Sequence, residues 1–353
     1  MTTHKRAAKA KTKLAIDRRA LKTLKLVAVA YSYVERSMFA TEDAYKAEIE
    51  VEGRAQEVIS MIESLGIPVK GYPGDAHLLA NLQIDQVDVV VNLVDTLKGS
   101  DSLSTSIPAA LELTEIDYTG CGMQGLVIGS SRQLTKQLLT AFDIPTPDFQ
   151  FIRRAGTNVD QALGLPLIVK LNEGGGSVGI NNDAVKETFE AAQKQVDHLI
   201  TTYKLPVIVE QFVDGGEINV LVFDDGKRRH VFMAEKNFKF KPDGKHAFTS
   251  IESYDSLKSW KYVPVADEAL AAKITKYAER AFTCLNHRDY CKFDVRVDKV
   301  SGIPYFTDSN PNTAFGPQPG TPIRDILQEL YNIPFEDVIA SLLSKHARKI
   351  KRS

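Results

Sequence analysis

The run Val87–Val94 (VDVVVNLV) limits the fold of this chain more than any other stretch. Asp88 and Asn92 are its only polar residues, and most of the rest are β-branched. A strand this apolar needs cover on both faces, which a parallel sheet packed between helices supplies. The flanking sequence agrees. Leu26, Val27 and Val29 make a second short strand, and Thr41 can cap a helix running to about Leu65, stopped by Gly66 and Pro68. A helix near Pro108–Leu113 and a strand ending at Tyr118 follow. Strands alternating with helices predict an α/β fold with a Rossmann-like parallel sheet over residues 25–122.

A helix over Ser131–Phe142 and the break Ile144-Pro145-Thr146-Pro147 read as a domain boundary. Beyond it come strands near Phe149–Arg153 and Leu167–Leu171, then a helix from Asp183 to Tyr203. Val185, Phe189, Ala192, Val196 and Leu199 line one face of that helix, a packing stripe. The remainder is strand-rich: Val207–Val213, Ile218–Phe223, Arg229–Ala234, a polar loop Lys236–Lys258, a helix Asp267–Leu285, and strands Tyr290–Val297 and Pro304–Thr307. This organisation predicts a basic tail over 1–24, domains over 25–122, 123–205 and 206–345, and a second basic tail over 346–353.

Charge supports the two tails. Residues 1–25 hold nine Lys/Arg against Asp17, and 345–353 add five more positives, so an overall charge of −1 leaves the middle near −14. The ends carry no aromatic residues for base stacking, so no nucleic-acid partner is indicated. No apolar run is long enough to span a membrane, and the N-terminus lacks the apolar core of a secretory signal. Cys121, Cys284 and Cys291 have no metal-site spacing and leave an odd thiol, which fits a reducing cytoplasm.

The chemistry concentrates in a few segments. In VKLNEGGGSVGI (Val169–Ile180) a strand delivers Lys170 into a loop with three adjacent glycines, including Gly175 and Gly176, followed by Ser177. Such a loop can turn its backbone N–H groups toward one point and, backed by a lysine, bind phosphate oxygens. It lacks the GxxxxGK[ST] pattern of a P-loop. Gly120, Gly122 and Gly125 spell GxGxxG, but they end a series of strands instead of opening one, so they read as a decoy for dinucleotide binding. Glu210, Gln211, Phe212 and Val213 end a strand, with Glu217 seven residues after Glu210. Such an edge can pair with adenine by its backbone, with carboxylates for the exocyclic amine and a ribose hydroxyl. Lys292-Phe293-Asp294 and Asp308-Ser309-Asn310 lie on neighbouring strands, where Asp294, Asp308 and Asn310 could converge as hard oxygen ligands for Mg²⁺.

Taken in order, these segments resemble the ATP-grasp superfamily and, within it, the D-alanine–D-alanine ligase group. LGLPLIVKLNEGGGSVGI resembles the phosphate-covering loop, VIVEQFVDGGEINV the adenine linker, and KFDVRVD with FTDSNPNTAFG the magnesium strands. The likeness covers roughly residues 25–345. It implies a three-domain ATP-grasp fold and an ATP-dependent carboxylate–amine ligase that joins two small amino-acid-like substrates through an acyl phosphate. Lys170 and Arg132 would contact phosphates, Glu210 and the Gln211–Val213 backbone adenine, and Glu217 the ribose. Asp294, Asp308 and Asn310 would hold Mg²⁺, with Mn²⁺ as an alternative, and Lys292 would face the phosphoryl group. Glu35 resembles a glutamate that binds the first substrate's amino group.

Several positions depart from the family pattern. Asp308 stands where glutamate is usual and Arg132 where a lysine is, while Gly176 replaces a substrate-supporting serine, with Ser177 matching its neighbour. Asn312-Thr313-Ala314-Phe315 replaces the compact segment that holds the acceptor carboxylate. Phe315 and Trp260, if they line that pocket, favour a bulkier acceptor than D-alanine; Tyr254 and Lys258 are further candidates from the long loop. No histidine falls in the matched segments, so none is expected to catalyse. A homodimer, a ligase for amino acids other than D-alanine or for peptides, and a non-catalytic ATP-binding module remain alternatives.

Overall fold

The computed structural model describes residues 12–46, 48–174, 178–241, 243–250 and 259–350. Its first sheet has strands β1 (Val27–Ser32), β2 (Val69–Gly74), β3 (Val89–Leu93) and β4 (Asp117–Tyr118), all parallel, in the order β2-β1-β3-β4. Every residue of β3 is buried, the arrangement its composition calls for. Val27, Val29, Val89 and Val91 enter one core, and Ala28, Ala30 and Val90 the other, so period-two alternation feeds both faces.

Strands β5 (Phe149–Ile152), β6 (Leu167–Leu171), β7 (Val185–Lys186) and β8 (Val207–Gln211) form an antiparallel sheet ordered β5-β8-β6-β7. Strands β9 (Gly215–Asp224), β10 (Arg229–Phe238), β11 (Trp260–Val263), β12 (Tyr290–Asp298) and β13 (Pro304–Asn310) form a third, antiparallel sheet ordered β11-β10-β9-β12-β13. The described residues thus form a mixed α/β fold with one parallel and two antiparallel sheets.

Three boundaries differ from the sequence reading. β8, assigned above to the third domain, pairs with β5 and β6, so the second sheet extends to Gln211. The helix expected from Asp183 begins at Phe189, because Val185–Lys186 pairs with Leu167–Ile168 and Thr188 caps the shorter helix. The helix after Thr41 is two pieces, Glu42–Lys46 and Val51–Ser64.

The basic ends are the largest correction. From residue 12 the first segment is folded: Leu14, Ala20, Leu21 and Leu24 are buried in the core that holds β1 and β3. Asp17 caps the short helix Arg18–Leu21, and Ala15 is tied at both ends, its N–H to Asp225 and its carbonyl to Ser341 Oγ. The last helix runs from Phe335 to Ile350, so residues 346–350 of the expected tail are helical. Its Lys345 Nζ lies 2.9 Å from Asp289 and 3.1 Å from Asp224, and His346 bridges Asp117 and Asp289 at 2.6 and 2.8 Å. Lys345 and Lys349 of this helix are therefore counter-charges for acids of the body.

Candidate active site

A cavity opens between the second and third sheets. Lys170 reaches it from β6, Glu210–Val213 from the end of β8, Glu217 from β9, Asp294 from β12 and Asp308 from β13. Ile168, Ile180, Phe212 and Phe248 pack together as one apolar cluster, and all four line the cavity, which suits the faces of a flat base.

The electrostatics are arranged in layers. Glu210 is 1% exposed, and its Oε2 sits 3.2 Å from Lys170 Nζ and 3.3 Å from Lys136 Nζ. Its Oε1 is buried and accepts no hydrogen bond, an acceptor fit for an incoming N–H. Burial pulls the Lys136 ammonium down to about 8, against the opposing pull of Glu210. The edge of β8 is less free than its sequence implies. Gln211 N–H donates to Asp148 C=O at 3.0 Å and Phe212 N–H to Pro166 C=O at 2.9 Å. The Val213 carbonyl accepts from Arg296 Nε at 2.6 Å.

Glu217 is the most heavily held carboxylate in the cavity. It accepts from Lys236 Nζ at 2.7 Å, Thr249 Oγ1 at 2.7 Å and Arg296 Nη1 at 3.1 Å. Burial pushes its pKa upward, but Lys236 and Arg296 outweigh that and hold it at about 2. Both its oxygens already have partners, so a ribose would share them with this cluster.

Antiparallel register sets Asp294 opposite Asp308 and Lys292 opposite Asn310, which brings the three oxygen-bearing side chains to one place. Asn310 Nδ2 donates to Asp294 Oδ2 at 3.3 Å. Asn219, buried on β9, donates to Asp294 and accepts from the Tyr262 hydroxyl, which fixes that carboxylate from behind. Two cations rest on the acids: Lys292 Nζ is 3.0 Å from Asp294 and Arg132 Nη2 is 2.8 Å from Asp308. Burial raises Asp308, yet Arg132, Lys170 and Lys292 together keep it below the usual carboxylate range. Two carboxylates and an amide oxygen are hard donors of the kind Mg²⁺ takes.

Not every expected residue joins this site. Gly175, Gly176 and Ser177 lie outside the described residues, as do Tyr254 and Lys258. Glu35 is exposed, accepts a hydrogen bond from Tyr33, and does not line the cavity. Trp260 lies with its ring under Lys236 at 4.6 Å and does not line the cavity either. Phe315 packs between Tyr290 and Phe335, 2% exposed, as core. GxGxxG serves packing: a Cβ on Gly125 would lie 2.4 Å from both Asn286 O and Cys121 Sγ. Sequence reasoning missed Lys136, Asn219, Lys236 and Arg296. Only Lys136 left a local signal, one helical turn beyond Arg132 on the same face.

Comparison with known proteins gives the family and the fold. A family model described as the D-ala D-ala ligase C-terminus matches residues 138–322. A D-alanine--D-alanine ligase of Polaromonas sp. (strain JS666) is 26% identical over 269 residues, covering 72% of this chain and 77% of that protein. One from Ralstonia nicotianae is 25% identical over 306 residues, covering 84% and 86%. The crystal structure of a D-alanine--D-alanine ligase from Bacillus anthracis complexed with ATP superposes with a TM-score of 0.69 at 17% identity, covering 93% of this chain and 99% of that one.

Proposed function

Because this chain belongs to the D-ala D-ala ligase C-terminus family, we propose that the cavity binds ATP and activates the carboxylate of a small amino acid for attack by a second. The protein is an ATP-dependent ligase of D-alanine–D-alanine ligase type with an ATP-grasp fold. The observation that carries the site assignment is the layering itself. A buried carboxylate with a spare oxygen, an apolar slot and a cluster of cations lie in series toward Asp294, Asp308 and Asn310.

An amine cannot displace oxide from a carboxylate at neutral pH, so the carboxylate must first become an acyl phosphate. Transfer of the γ-phosphoryl group supplies that leaving group, and the amine then expels phosphate. This chemistry asks a protein for positioning and charge neutralisation more than for a nucleophile. Lys170, Lys292 and Arg132 supply positive charge beside the phosphates, and Asp294, Asp308 and Asn310 would hold Mg²⁺, which neutralises phosphate oxygens when bound. His287, the histidine nearest these strands by hydrogen bond, is neutral: burial takes it down to about 3, and its Nε2 is bonded to Ser309 Oγ at 2.8 Å.

ADP release measured against a panel of amino acids, singly and in pairs, tests this reading. Release that requires an amino acid, with a dipeptide seen by mass spectrometry, is the expected result. ATP binding with no amino-acid-dependent turnover would leave a non-catalytic nucleotide module instead.

A further inference from the structure

His346 is fully buried, yet both of its ring nitrogens face carboxylates. Nδ1 lies 2.6 Å from Asp117 Oδ2, on the parallel sheet, and Nε2 lies 2.8 Å from Asp289 Oδ2, just ahead of β12. A neutral imidazole has one N–H, so it can serve one of these acceptors and must set a lone pair against the other. Only the imidazolium fits. Burial opposes that cation, but Asp289 and Asp117 outweigh it and raise its pKa above the ordinary value. Lys345 Nζ stands 2.9 Å from Asp289 Oδ1 and 3.1 Å from Asp224, and Lys349 Nζ 3.7 Å from Asp117. Asp289 Oδ1 accepts no hydrogen bond, so Lys345 supplies it with charge alone. Arg288 completes the charged groups around the ring. The side chains that β3 and the helices Arg18–Leu21 and Val51–Ser64 bring to the shared core are apolar.

The acids that His346 holds grip the turn after β4. Asp289 Oδ2 also accepts from Gly120 N–H at 2.8 Å, while Arg288 donates to the Gly120 and Tyr118 carbonyls at 2.8 and 3.0 Å. That turn in turn makes two contacts with the end of β13. Cys121 N–H donates to Asn312 Oδ1 at 2.8 Å. Cys121 Sγ lies 3.5 Å from His287 Nδ1, and His287 Nε2 is bonded to Ser309 Oγ. Ser309 and Asn312 stand on either side of Asn310, a candidate metal ligand. The packing leaves little slack: a Cβ on Gly120 would lie 2.6 Å from Asn312 Oδ1. Asn312 also lines a narrow crevice with Asn92 and Tyr290, the residue after Asp289. A chain of direct contacts therefore runs from the last helix to the strand end at Asn310.

We propose that His346 is a positioning residue: its doubly protonated ring fixes the turn after β4 and, through it, Asn310, so that loss of its proton slows turnover. The proposal rests on the ligase reading above. Deprotonation turns one of the two short attractions into a lone pair facing a carboxylate, and Asp289 is then free to shift with Gly120. The lock is whole below the folded pKa of His346 and weakens as pH rises through it. His346, Asp117, Asp289, Gly120 and Cys121 do not line the nucleotide cavity, so adenine recognition at Glu210 is left alone. The effect falls on the strand that carries Asp308 and Asn310.

Asp117→Asn and His346→Gln test this in the full chain, with two readouts from pH 6 to 10. One is the imidazole titration by NMR, assigned as the resonance missing from His346→Gln; the other is kcat for amino-acid-dependent ADP release. The unsubstituted chain should lose ~10-fold in kcat along a limb that coincides with the titration, since reacting groups tolerate little displacement. Asp117→Asn removes one of the two carboxylates and should move titration and limb together to lower pH by ~1 unit or more. His346→Gln should abolish the limb. A ring that is already neutral at pH 7 overturns the proposal. A kcat limb that stays in place while the titration moves shows a residue that only supports the fold, and overturns it too. Without amino-acid-dependent ADP release at any pH the ligase reading falls and the positioning role with it, while the NMR titration still reports whether the lock is charged.

Discussion

Glu217→Gln isolates the charge cluster at the back of the nucleotide cavity. The carboxylate lies between two buried cations, Lys236 at 2.7 Å and Arg296 at 3.1 Å. Gln keeps the shape and removes the charge. Its cost can be worked two ways. The pKa is depressed from an ordinary 4.5 to about 2; at about 1.4 kcal/mol per unit this is roughly 3 kcal/mol. Breaking a buried ion pair from one side costs about 3–5 kcal/mol, so the two routes agree. The sign of the pH dependence follows. A depressed carboxylate stabilises the fold fully above its unfolded pKa and loses that contribution as pH falls through its folded value. The gap between wild type and variant should therefore be full at neutral pH and close between pH 4.5 and about 2. Trp260 is the sole tryptophan and lies 4.6 Å from Lys236 Nζ, so urea unfolding followed by its fluorescence reads this region directly. A gap below ~1 kcal/mol at neutral pH, or one that keeps its size down to pH 2, would refute the argument.

Asp308→Ala and Asn310→Ala should each lower kcat by ~10²-fold, since lost oxygen donors are felt mainly in the transition state; Asn310→Ala should leave the unfolding midpoint unchanged, whereas Asp308→Ala should lower it, because the buried Arg132 guanidinium loses its carboxylate; wild-type rates in both at limiting Mg²⁺ would remove the site. Leu21→Ala should cost about 2–4 kcal/mol, because Leu21 is 7% exposed in the core, while Lys22→Ala on the exposed side stays within ~0.5 kcal/mol. Equal, negligible effects would restore the picture of a solvated tail. His346 is destabilised as a cation by burial, but Asp289 and Asp117 outweigh this and raise its pKa. Its contribution is present below the unfolded value and fades as pH rises through the folded one, so His346→Gln should flatten the alkaline fall in the urea midpoint. A variant that keeps the wild-type slope would exclude His346 as its source.

The elements whose side chains follow one period over many residues were legible in the sequence: β3, β6, β12 and the helices capped by Ser131 and Asp267. The misplaced boundaries have local causes. Val185-Lys186 is too short to show a period of two, and its valine also fits the helical stripe that starts four residues later. The N-terminal segment hid its core residues behind nine positive charges, because charge counts do not reveal that Leu21, at the end of a short helix, and Leu24, just past it, enter one core. The missed cations share another cause. Lys236 lies 19 residues from Glu217, and Arg296 lies 79 away. Only the β9–β10 and β9–β12 ladders bring them together, so no window along the chain contains the pair.

Asn92 shows how far an exception to a pattern can be read. It is the one polar residue in the buried strand β3, and a buried amide ordinarily finds partners for both of its ends. Here the oxygen is satisfied within two residues and the nitrogen is not. Apolar burial made the strand easy to recognise, and the same burial makes the odd asparagine costly to keep. A leucine there would remove that cost and leave β3 fully apolar, so the amide has to be repaid by something the strand itself does not supply. Asn312 stands in the same position across the crevice, 220 residues further along, with its oxygen taken and its nitrogen idle. Two idle donors therefore face one narrow space, beside the partly buried Arg54–Asp95 pair.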